Sequence, residues 1–272
     1  ENGAAVLQLA KSDTTKFEAL KLQKVERFRF KAADGLTDCY GTLSKPSDFD
    51  PAKKYPVIVD VYGGPESGGG SDRFATPSAM TELGFLVVWI DGRGTNGRGK
   101  AHKDAVYGKL GVVEIDDQAA GVKHLTQRPY VDGSRVGIHG TSYGGYSSVM
   151  ALLRHPDVFH AAVASSSVTA WENYDTIYTE RYMGLPWEGE NKSGYEAASA
   201  MTYAKNLKGR LMLFYGTADN NVHPANTYQL AQALLRAGKS FDMLAGPDQG
   251  HAGINSARMM EYFIDALITN KR

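Results

Sequence analysis

The chain has 272 residues, of which 42% are hydrophobic and 22% are charged, as in an ordinary soluble globular domain. Thirty basic residues balance thirty acidic ones, so the charge gives no reason to expect binding to nucleic acid or to an anionic membrane surface. The single cysteine excludes an internal disulfide framework and a cysteine metal cluster.

The start of the chain, ENGAAVLQLAKSD, has no signal-peptide pattern and no initiator methionine, so we expect it to begin partway through a longer gene product. The longest apolar runs, such as LGFLVVWI at 83–90, are far too short to span a bilayer. No membrane segment is therefore expected in this chain.

The predicted elements alternate along the chain. Alternating patterns predict two strands near the start, at 25–35 and 39–43. Continuous apolar runs typical of strands buried on both faces of a parallel sheet follow at 57–62, 85–90, 135–139, 160–165, 211–215 and 241–245. Helical patterns lie between or after them, at 115–127, 146–155, 225–239 and 255–268. This order predicts a mostly parallel, doubly wound α/β sheet with helices on both faces, and a site beyond the carboxyl ends of its strands.

One candidate nucleophile stands directly after the strand at 135–139. The sequence there reads RVGIHGTSYGGY, which places Ser142 in a G-x-S-x-G pattern between a strand and a helix. A nucleophile elbow needs these glycines because a Cβ on either flank of the strained turn would collide with the strand or the helix. The alternative is a glycine-rich helix start in which the serine has no chemical role.

A serine hydroxyl needs a base that takes its proton, and the fold predicts the chain order serine, acid, histidine. His251 lies in GPDQGHAGI, a loop between the strand at 241–245 and the last helix, from which an imidazole can reach the serine. His223 is the alternative base, but it opens a helix and there a capping or surface role is more ordinary.

The candidate acid is Asp219, which follows LMLFYGTA directly past a strand end and is well placed to accept the imidazole N–H. Asp175 and Asp248 are the alternatives, and both fit loop-capping or surface carboxylates better. Ser142, Asp219 and His251 agree in chain order and in their positions after strands, which indicates a catalytic triad.

Acyl transfer also needs hydrogen-bond donors for the developing oxyanion. One predicted donor is the backbone N–H of Tyr143, the residue after the nucleophile. The other is the phenol of Tyr62, which ends a strand in the glycine-rich stretch DVYGGPESGGG at 60–70. From the sequence pattern alone, Tyr62 fits a packed core tyrosine equally well.

Several stretches together resemble one family. DVYGGP, DGRGTNGRG, GTSYGGY, WENYDTIYTERYMGLP and GTADNNVH are similar to the catalytic domain of the prolyl oligopeptidase family of serine peptidases, and YTERYMGLP resembles its dipeptidyl peptidase IV branch. The similarity runs from about residue 25 to the C-terminus. The resemblance implies an α/β-hydrolase fold and a dipeptidyl-peptidase type of cleavage after proline or alanine near the N-terminus of peptides.

The resemblance also implies roles for individual residues. Ser142, Asp219 and His251 match the family triad, and Tyr62 matches its oxyanion tyrosine. The residues that match the pocket for the proline before the scissile bond are Tyr174, Tyr178, Trp171, Val168, Val222 and Asn221. From the residues alone, the aromatic cluster in WENYDTIYTERY fits ordinary core packing at least as well. No metal or organic cofactor is implied.

In this family a β-propeller precedes the hydrolase domain and binds the free amino terminus of the substrate, and nothing in this chain resembles one. We therefore expect residues 1–24 to be a connector and 25–272 to be the peptidase domain, with peptide substrates and a homodimer as expected partners. The resemblance favours a periplasmic or secreted location. Without the propeller, a broad esterase or acyl-aminoacyl-type hydrolase on the same triad is the alternative function, and a hydrolase-like interaction module is the third.

Overall fold

The computed structural model describes residues 7–68 and 74–270. Residues 1–6 of the expected connector and residues 69–70 of the glycine-rich stretch after Tyr62 lie outside the described residues. The strands are β1 (Glu26–Lys31), β2 (Asp38–Ser44), β3 (Tyr55–Asp60), β4 (Leu86–Asp91), β5 (Val131–Thr141), β6 (Ala161–Ser165), β7 (Arg210–Gly216) and β8 (Asp242–Gly246).

These strands form one eight-stranded sheet in the order β1-β2-β4-β3-β5-β6-β7-β8. The β1–β2 and β2–β4 pairs are antiparallel, and every later pair is parallel. The parallel strands from β3 onward all point their carboxyl ends to one edge of the sheet. The mostly parallel, doubly wound sheet that the sequence predicts is therefore confirmed, and its strand order is that of an α/β hydrolase.

Helices cover both faces of this sheet. The helices of the described residues are α1 (Thr15–Ala19), α2 (Lys100–Asp104), α3 (Val113–Leu125), α4 (Tyr143–Arg154), α5 (Thr176–Met183), α6 (Lys192–Ala198), α7 (Ala225–Arg236) and α8 (Ser256–Ile264), and α8 continues into a π-helical turn, Asp265–Thr269. Short 3₁₀ turns span Ala79–Leu83, Trp171–Asn173 and Ala200–Asn206. None of the helices within the described ranges is both long and apolar enough to cross a membrane.

Two apolar cores sit on opposite faces of the sheet. Val57 and Val59 of β3 pack into the larger core with α3, α4 and α7, whereas Ile58 between them packs into a smaller core with Phe263 of α8. Successive side chains of a strand point to opposite faces, so a continuous apolar run is what a strand covered on both sides requires.

The last strand differs from its prediction. The run at 241–245 was expected to be buried on both faces, but four of the five residues of β8 are exposed and only Gly246 is buried. The reason is its position, because β8 is the edge strand and pairs with β7 alone. The helices that cover the central strands do not cover this edge strand, so its side chains are exposed.

Candidate active site

Ser142 lies at the sharp turn that joins β5 to α4. Its backbone has φ 63° and ψ −122°, a conformation that residues with a side chain rarely adopt. Such a strained residue persists only where its surroundings hold it, and strain of this kind is typical of functional sites. The turn is that of a nucleophile elbow, which presents its side chain at the carboxyl edge of the sheet.

The glycines of this turn have a steric cause. A Cβ on Gly140 or Gly144 would collide with the carbonyl oxygen of Val61, and a Cβ on Gly145 would collide with that of Ser165. The backbones of β3, β6 and the turn therefore approach one another too closely for any side chain. This close approach explains why the residues around Ser142 are glycines.

Asp219 and His251 form a hydrogen-bonded pair at the same edge of the sheet. Nδ1 of His251 lies 2.9 Å from Oδ2 of Asp219. A carboxylate can only accept, so Nδ1 carries the proton and Nε2 is left free to act as a base. The Asp219 carboxylate is 1% exposed, whereas the His251 side chain is 28% exposed and open to a substrate.

The environment of Asp219 keeps it ionised. Burial alone would raise the pKa of its carboxyl, but hydrogen bonds from His251 and from the amides of Val222 and Asn221 outweigh burial and hold the pKa below its ordinary value. The two amides donate to Oδ1 over 2.9 Å each. Every oxygen of the buried carboxylate is therefore paired, and its negative charge faces the imidazole.

The loop of His251 is attached beside the nucleophile. The amide of Ile254 donates to Oγ of Ser165 over 3.1 Å, and the amide of Ser142 donates to the carbonyl of the same Ser165 over 2.9 Å. Ser142 and the loop of His251 are therefore both attached to Ser165, at the carboxyl end of β6. In the described part of the chain no hydrogen bond joins Oγ of Ser142 to His251, which is common before substrate binds and the site tightens.

The alternative base and acids occupy structural positions. Nδ1 of His223 accepts the amide of Ala225 at the start of α7 over 3.1 Å. Asp175 caps α5 by accepting the amide of Tyr178 over 2.8 Å. Asp248 is an exposed turn residue with φ 58°. None of these three stands in a hydrogen-bonded acid–base pair.

The two tyrosines that were predicted to supply the oxyanion donors lie next to each other. Tyr143 is the first residue of α4, so its N–H has no acceptor within the helix. The rings of Tyr62 and Tyr143 are 6.0 Å apart between centroids, and Oγ of Ser147 anchors the carbonyl of Tyr62 over 3.0 Å. Tyr62 is 39% exposed, so it is not a packed core tyrosine. Burial raises the pKa of its phenol, which therefore keeps its proton and can donate.

The side chain of Tyr143 is buried and held by a carboxyl group that the sequence analysis did not single out. Its hydroxyl donates to Oε1 of Glu114 on α3 over 2.7 Å. Glu114 is 1% exposed, and burial raises the pKa of its carboxyl to about 7. Its other oxygen, Oε2, has no hydrogen-bond partner within the described residues. A glutamate near the start of a helix gives no sequence signal of such burial.

The predicted pocket is an aromatic cluster beside the elbow. Tyr178 stacks on Trp171 with 5.6 Å between ring centroids, and Tyr174 meets Tyr178 edge to face at 5.5 Å. The hydroxyl of Tyr174 donates to Oδ1 of Asn221 over 3.1 Å, which links the cluster to the backbone that pairs with Asp219. Tyr174 and Tyr178 are half-buried, so part of each side chain is accessible.

The other predicted pocket residues lie deeper. Val168, Trp171 and Val222 are only 1–3% exposed, so they form the wall behind the tyrosines instead of an open binding surface. These three side chains therefore belong to the core, and the lining of a proline pocket by the tyrosines in front of them stays a prediction. Within the described ranges no group of three or more metal-ligating side chains is close enough to hold a metal ion.

Comparison with known proteins shows what this chain is similar to. The model of the prolyl oligopeptidase family matches residues 71–268. Human dipeptidyl peptidase 8 is 43% identical over 236 residues, and mouse prolyl endopeptidase FAP is 38% identical over 261 residues. The solved structure of Porphyromonas gingivalis dipeptidyl peptidase 4 superimposes with a TM-score of 0.86 at 38% identity and covers 94% of this chain.

The relatives are much longer than this chain. The matched regions cover 84% and 94% of this chain, but only 26% of dipeptidyl peptidase 8 and 34% of prolyl endopeptidase FAP. For the Porphyromonas gingivalis structure the covered share is 38% of that chain. The likeness therefore concerns one part of each relative.

Proposed function

The chain belongs to the prolyl oligopeptidase family, and we propose that it is a serine peptidase of the dipeptidyl-peptidase type, which cleaves after proline or alanine near the N-terminus of peptides. One observation carries the proposal: a strained Ser142 lies at the same carboxyl edge of the sheet as the hydrogen-bonded pair of the buried Asp219 and the accessible His251. The three residues have the chain order and the placement that serine catalysis on this fold requires.

The reaction follows from these positions. Oγ of Ser142 attacks the scissile carbonyl carbon while Nε2 of His251 takes the hydroxyl proton. The tetrahedral intermediate collapses when His251 gives that proton to the leaving nitrogen, the C–N bond breaks, and an ester to Ser142 remains. A water molecule, deprotonated by His251, then attacks the ester carbonyl carbon. The C–O bond to Ser142 breaks as His251 gives the proton to Oγ, and the peptide fragment leaves with a new carboxyl group. Asp219 holds the imidazole in the tautomer that both steps need.

Charge that develops on the carbonyl oxygen is met by two donors. The N–H of Tyr143 comes from the start of α4, where unpaired amides and the helix dipole both favour negative charge. The phenol of Tyr62 is the second donor, and its raised pKa keeps it protonated. Donors that are already in place lower the barrier because they need no rearrangement as the charge forms.

The tyrosine faces account for the preference for proline. A proline ring is compact and apolar and has no N–H that would need a partner, so it can pack on the flat faces of Tyr174 and Tyr178. These side chains are supported from behind by Trp171, which is 1% exposed. A pocket with such rigid walls excludes longer or charged side chains.

The finer expectations about partners belong to the same proposal. We propose that a β-propeller precedes the peptidase domain at 25–272, with residues 1–24 as the connector, and that the protein acts on peptides as a homodimer. The greater length of the relatives supports the first part. Light scattering tests the second, since a mass of twice one chain supports a homodimer and a clean monomer opposes it.

The direct test compares two substrates. The proposed peptidase releases p-nitroaniline from Ala-Pro-p-nitroanilide faster than from Ala-Leu-p-nitroanilide, and Ser142→Ala abolishes release. A broad esterase instead hydrolyses p-nitrophenyl acetate and shows no preference between the two anilides. Unchanged turnover in Ser142→Ala would refute both functions on this triad.

A further inference from the structure

A run of three serines, Ser165–Ser167, begins at the last residue of β6 and continues past its end, and none of the three was predicted to have a role. Ser165 and Ser166 are 2% and 1% exposed. Buried hydroxyls need hydrogen-bond partners, and the partners of these two lie at the catalytic edge of the sheet.

The backbone of this run touches two of the three elements that carry the triad. The carbonyl of Ser165 accepts the amide of Ser142 over 2.9 Å. The amide of Ser166 donates to the carbonyl of Phe214 over 2.8 Å, and Phe214 lies in β7, the strand that leads to Asp219. The run is therefore held in register with the nucleophile and with the strand before the acid.

The hydroxyls reach the third element. Oγ of Ser166 donates to the carbonyl of Ala252 over 2.8 Å, and Oγ of Ser165 accepts the amide of Ile254 over 3.1 Å. Ala252 directly follows His251 in the chain. These two bonds attach the histidine loop to the segment whose Ser165 carbonyl also accepts the amide of Ser142, and both bonds are partly buried.

The backbone of Ser166 supports this assignment. Its φ is 46°, in the left-handed region that glycine adopts at less cost. Glycine at this position would relieve the strain but would lose the hydroxyl that reaches Ala252. The strained conformation of Ser166 is consistent with a role for its hydroxyl, which in this conformation reaches the carbonyl of Ala252.

We propose that Ser165 and Ser166 are positioning residues that hold the loop of His251 over Ser142. The proposal rests on the proposed role of His251, which must both take a proton from Ser142 and return it to the leaving nitrogen. The part of the loop before His251 has its own attachments, among them the amide of Ala218, which donates to the carbonyl of Gln249 over 2.9 Å. Without the two serine hydroxyls, the part of the loop after His251 loses its hydrogen bonds at Ala252 and Ile254.

The variants Ser165→Ala and Ser166→Ala remove one attachment each, and Ser167→Ala is the matched control. Ser167 is also 2% exposed and adjacent in sequence, but its Oγ has no hydrogen-bond partner within the described residues. A general effect of removing a buried serine hydroxyl would appear equally in all three variants.

Two kinetic readouts separate positioning from general damage. The aniline of Ala-Pro-p-nitroanilide leaves only after His251 protonates it, whereas p-nitrophenolate leaves p-nitrophenyl acetate without a proton. We expect Ser165→Ala and Ser166→Ala to lower kcat on the anilide about tenfold or more, with KM within about twofold, and to affect the ester less. Ser167→Ala should stay close to the wild type in both assays.

A third readout does not depend on activity. Hydrogen–deuterium exchange of the peptide that contains Ile254 should speed up in Ser165→Ala and Ser166→Ala but not in Ser167→Ala. Equal effects in all three variants, or equal loss on anilide and ester together with unchanged exchange, would overturn the positioning role. A wild type that cleaves neither substrate would count against the proposed function, and the exchange measurement would still decide whether the serines hold the loop.

Discussion

His251 and Asp219 are 32 positions apart in the chain, yet Nδ1 of His251 lies 2.9 Å from Oδ2 of Asp219. Two different loops at the carboxyl edge of the sheet bring them together, one after β7 and one after β8. The buried member is the carboxylate and the open member is the imidazole, which is the division that a base working on an external substrate needs.

The first prediction concerns the acid. In Asp219→Asn the amide would present N–H groups to His251 and favour the wrong tautomer, so kcat on Ala-Pro-p-nitroanilide should fall by about three to four orders of magnitude. Asp248→Asn is the matched control, because this carboxylate is exposed and lies three residues before His251. Similar activity in the two variants would remove Asp219 from the mechanism.

The second prediction concerns the oxyanion site. Tyr62→Phe deletes only the hydroxyl of a side chain that is 39% exposed, so the fold should be unaffected. We expect kcat to fall by about ten- to a thousandfold with little change in KM, because the lost hydrogen bond forms in the transition state. Tyr228→Phe, which alters another exposed tyrosine, should leave steady-state kinetics as they are. A raised KM with unchanged kcat would instead make Tyr62 a substrate-binding residue.

The third prediction concerns the proline pocket. Tyr178→Leu removes the ring that stacks on Trp171 and should lower kcat/KM for Ala-Pro-p-nitroanilide about tenfold or more. Hydrolysis of p-nitrophenyl acetate should change little, since an acetyl group does not fill the pocket. Ile177→Ala is the neighbouring control, because Ile177 is 87% exposed and lies on the same helix. Parallel losses on both substrates would show that Tyr178 serves the fold and not specificity.

The fourth prediction concerns the elbow. Gly144→Ala forces a Cβ against the carbonyl of Val61 and should destabilise the protein by about 1–3 kcal/mol, with loss of activity. Gly250→Ala, directly before His251, meets nothing within 4 Å and should change the stability by no more than about 0.5 kcal/mol. Urea titrations of the two variants measure the difference. A stable, active Gly144→Ala would mean that the elbow is looser than its contacts indicate.

The fifth prediction concerns the pH dependence of stability. Burial raises the pKa of Glu114 to about 7, above its ordinary value of 4.5, so the unfolded chain loses this proton at lower pH than the folded protein does. Stability should therefore fall as pH rises through this window, by about 3 kcal/mol from this group. Glu114→Gln removes the contribution.

Urea titrations at pH 5 and pH 8 check this expectation. The stability of Glu114→Gln relative to the wild type should be greater at pH 8 than at pH 5, because only the wild type has to bury a charge at the higher pH. An equal difference between the two proteins at both pH values would contradict a buried glutamic acid that titrates near neutrality.

The sequence indicates the candidate catalytic residues of this site better than it indicates the contacts that support them. Ser142 could be predicted because an elbow needs glycines at fixed spacing between a strand and a helix, and these residues are adjacent in the chain. The exposure of β8 could not be predicted, because a five-residue apolar pattern does not say whether a strand lies at the edge of a sheet.

The supporting contacts join distant parts of the chain. Glu114 bonds Tyr143 across 29 positions, and Ser166 bonds Ala252 across 86 positions. A single glutamate or serine has many ordinary surface roles, so its residue type does not reveal a partner that only the folded backbone brings near. The serine run after β6 was the available signal, since residues that follow strands on this fold face the site.

Covalent labelling by a fluorophosphonate, read by peptide mass spectrometry, tests most directly whether Ser142 is a nucleophile activated by His251. We expect one adduct, located on Ser142, that is absent in Ser142→Ala and forms much more slowly in His251→Ala, because the reagent reacts only with an activated hydroxyl. Labelling of Ser142 at the same rate with and without His251, or no labelling of Ser142 in a protein that cleaves Ala-Pro-p-nitroanilide, would contradict this role of Ser142.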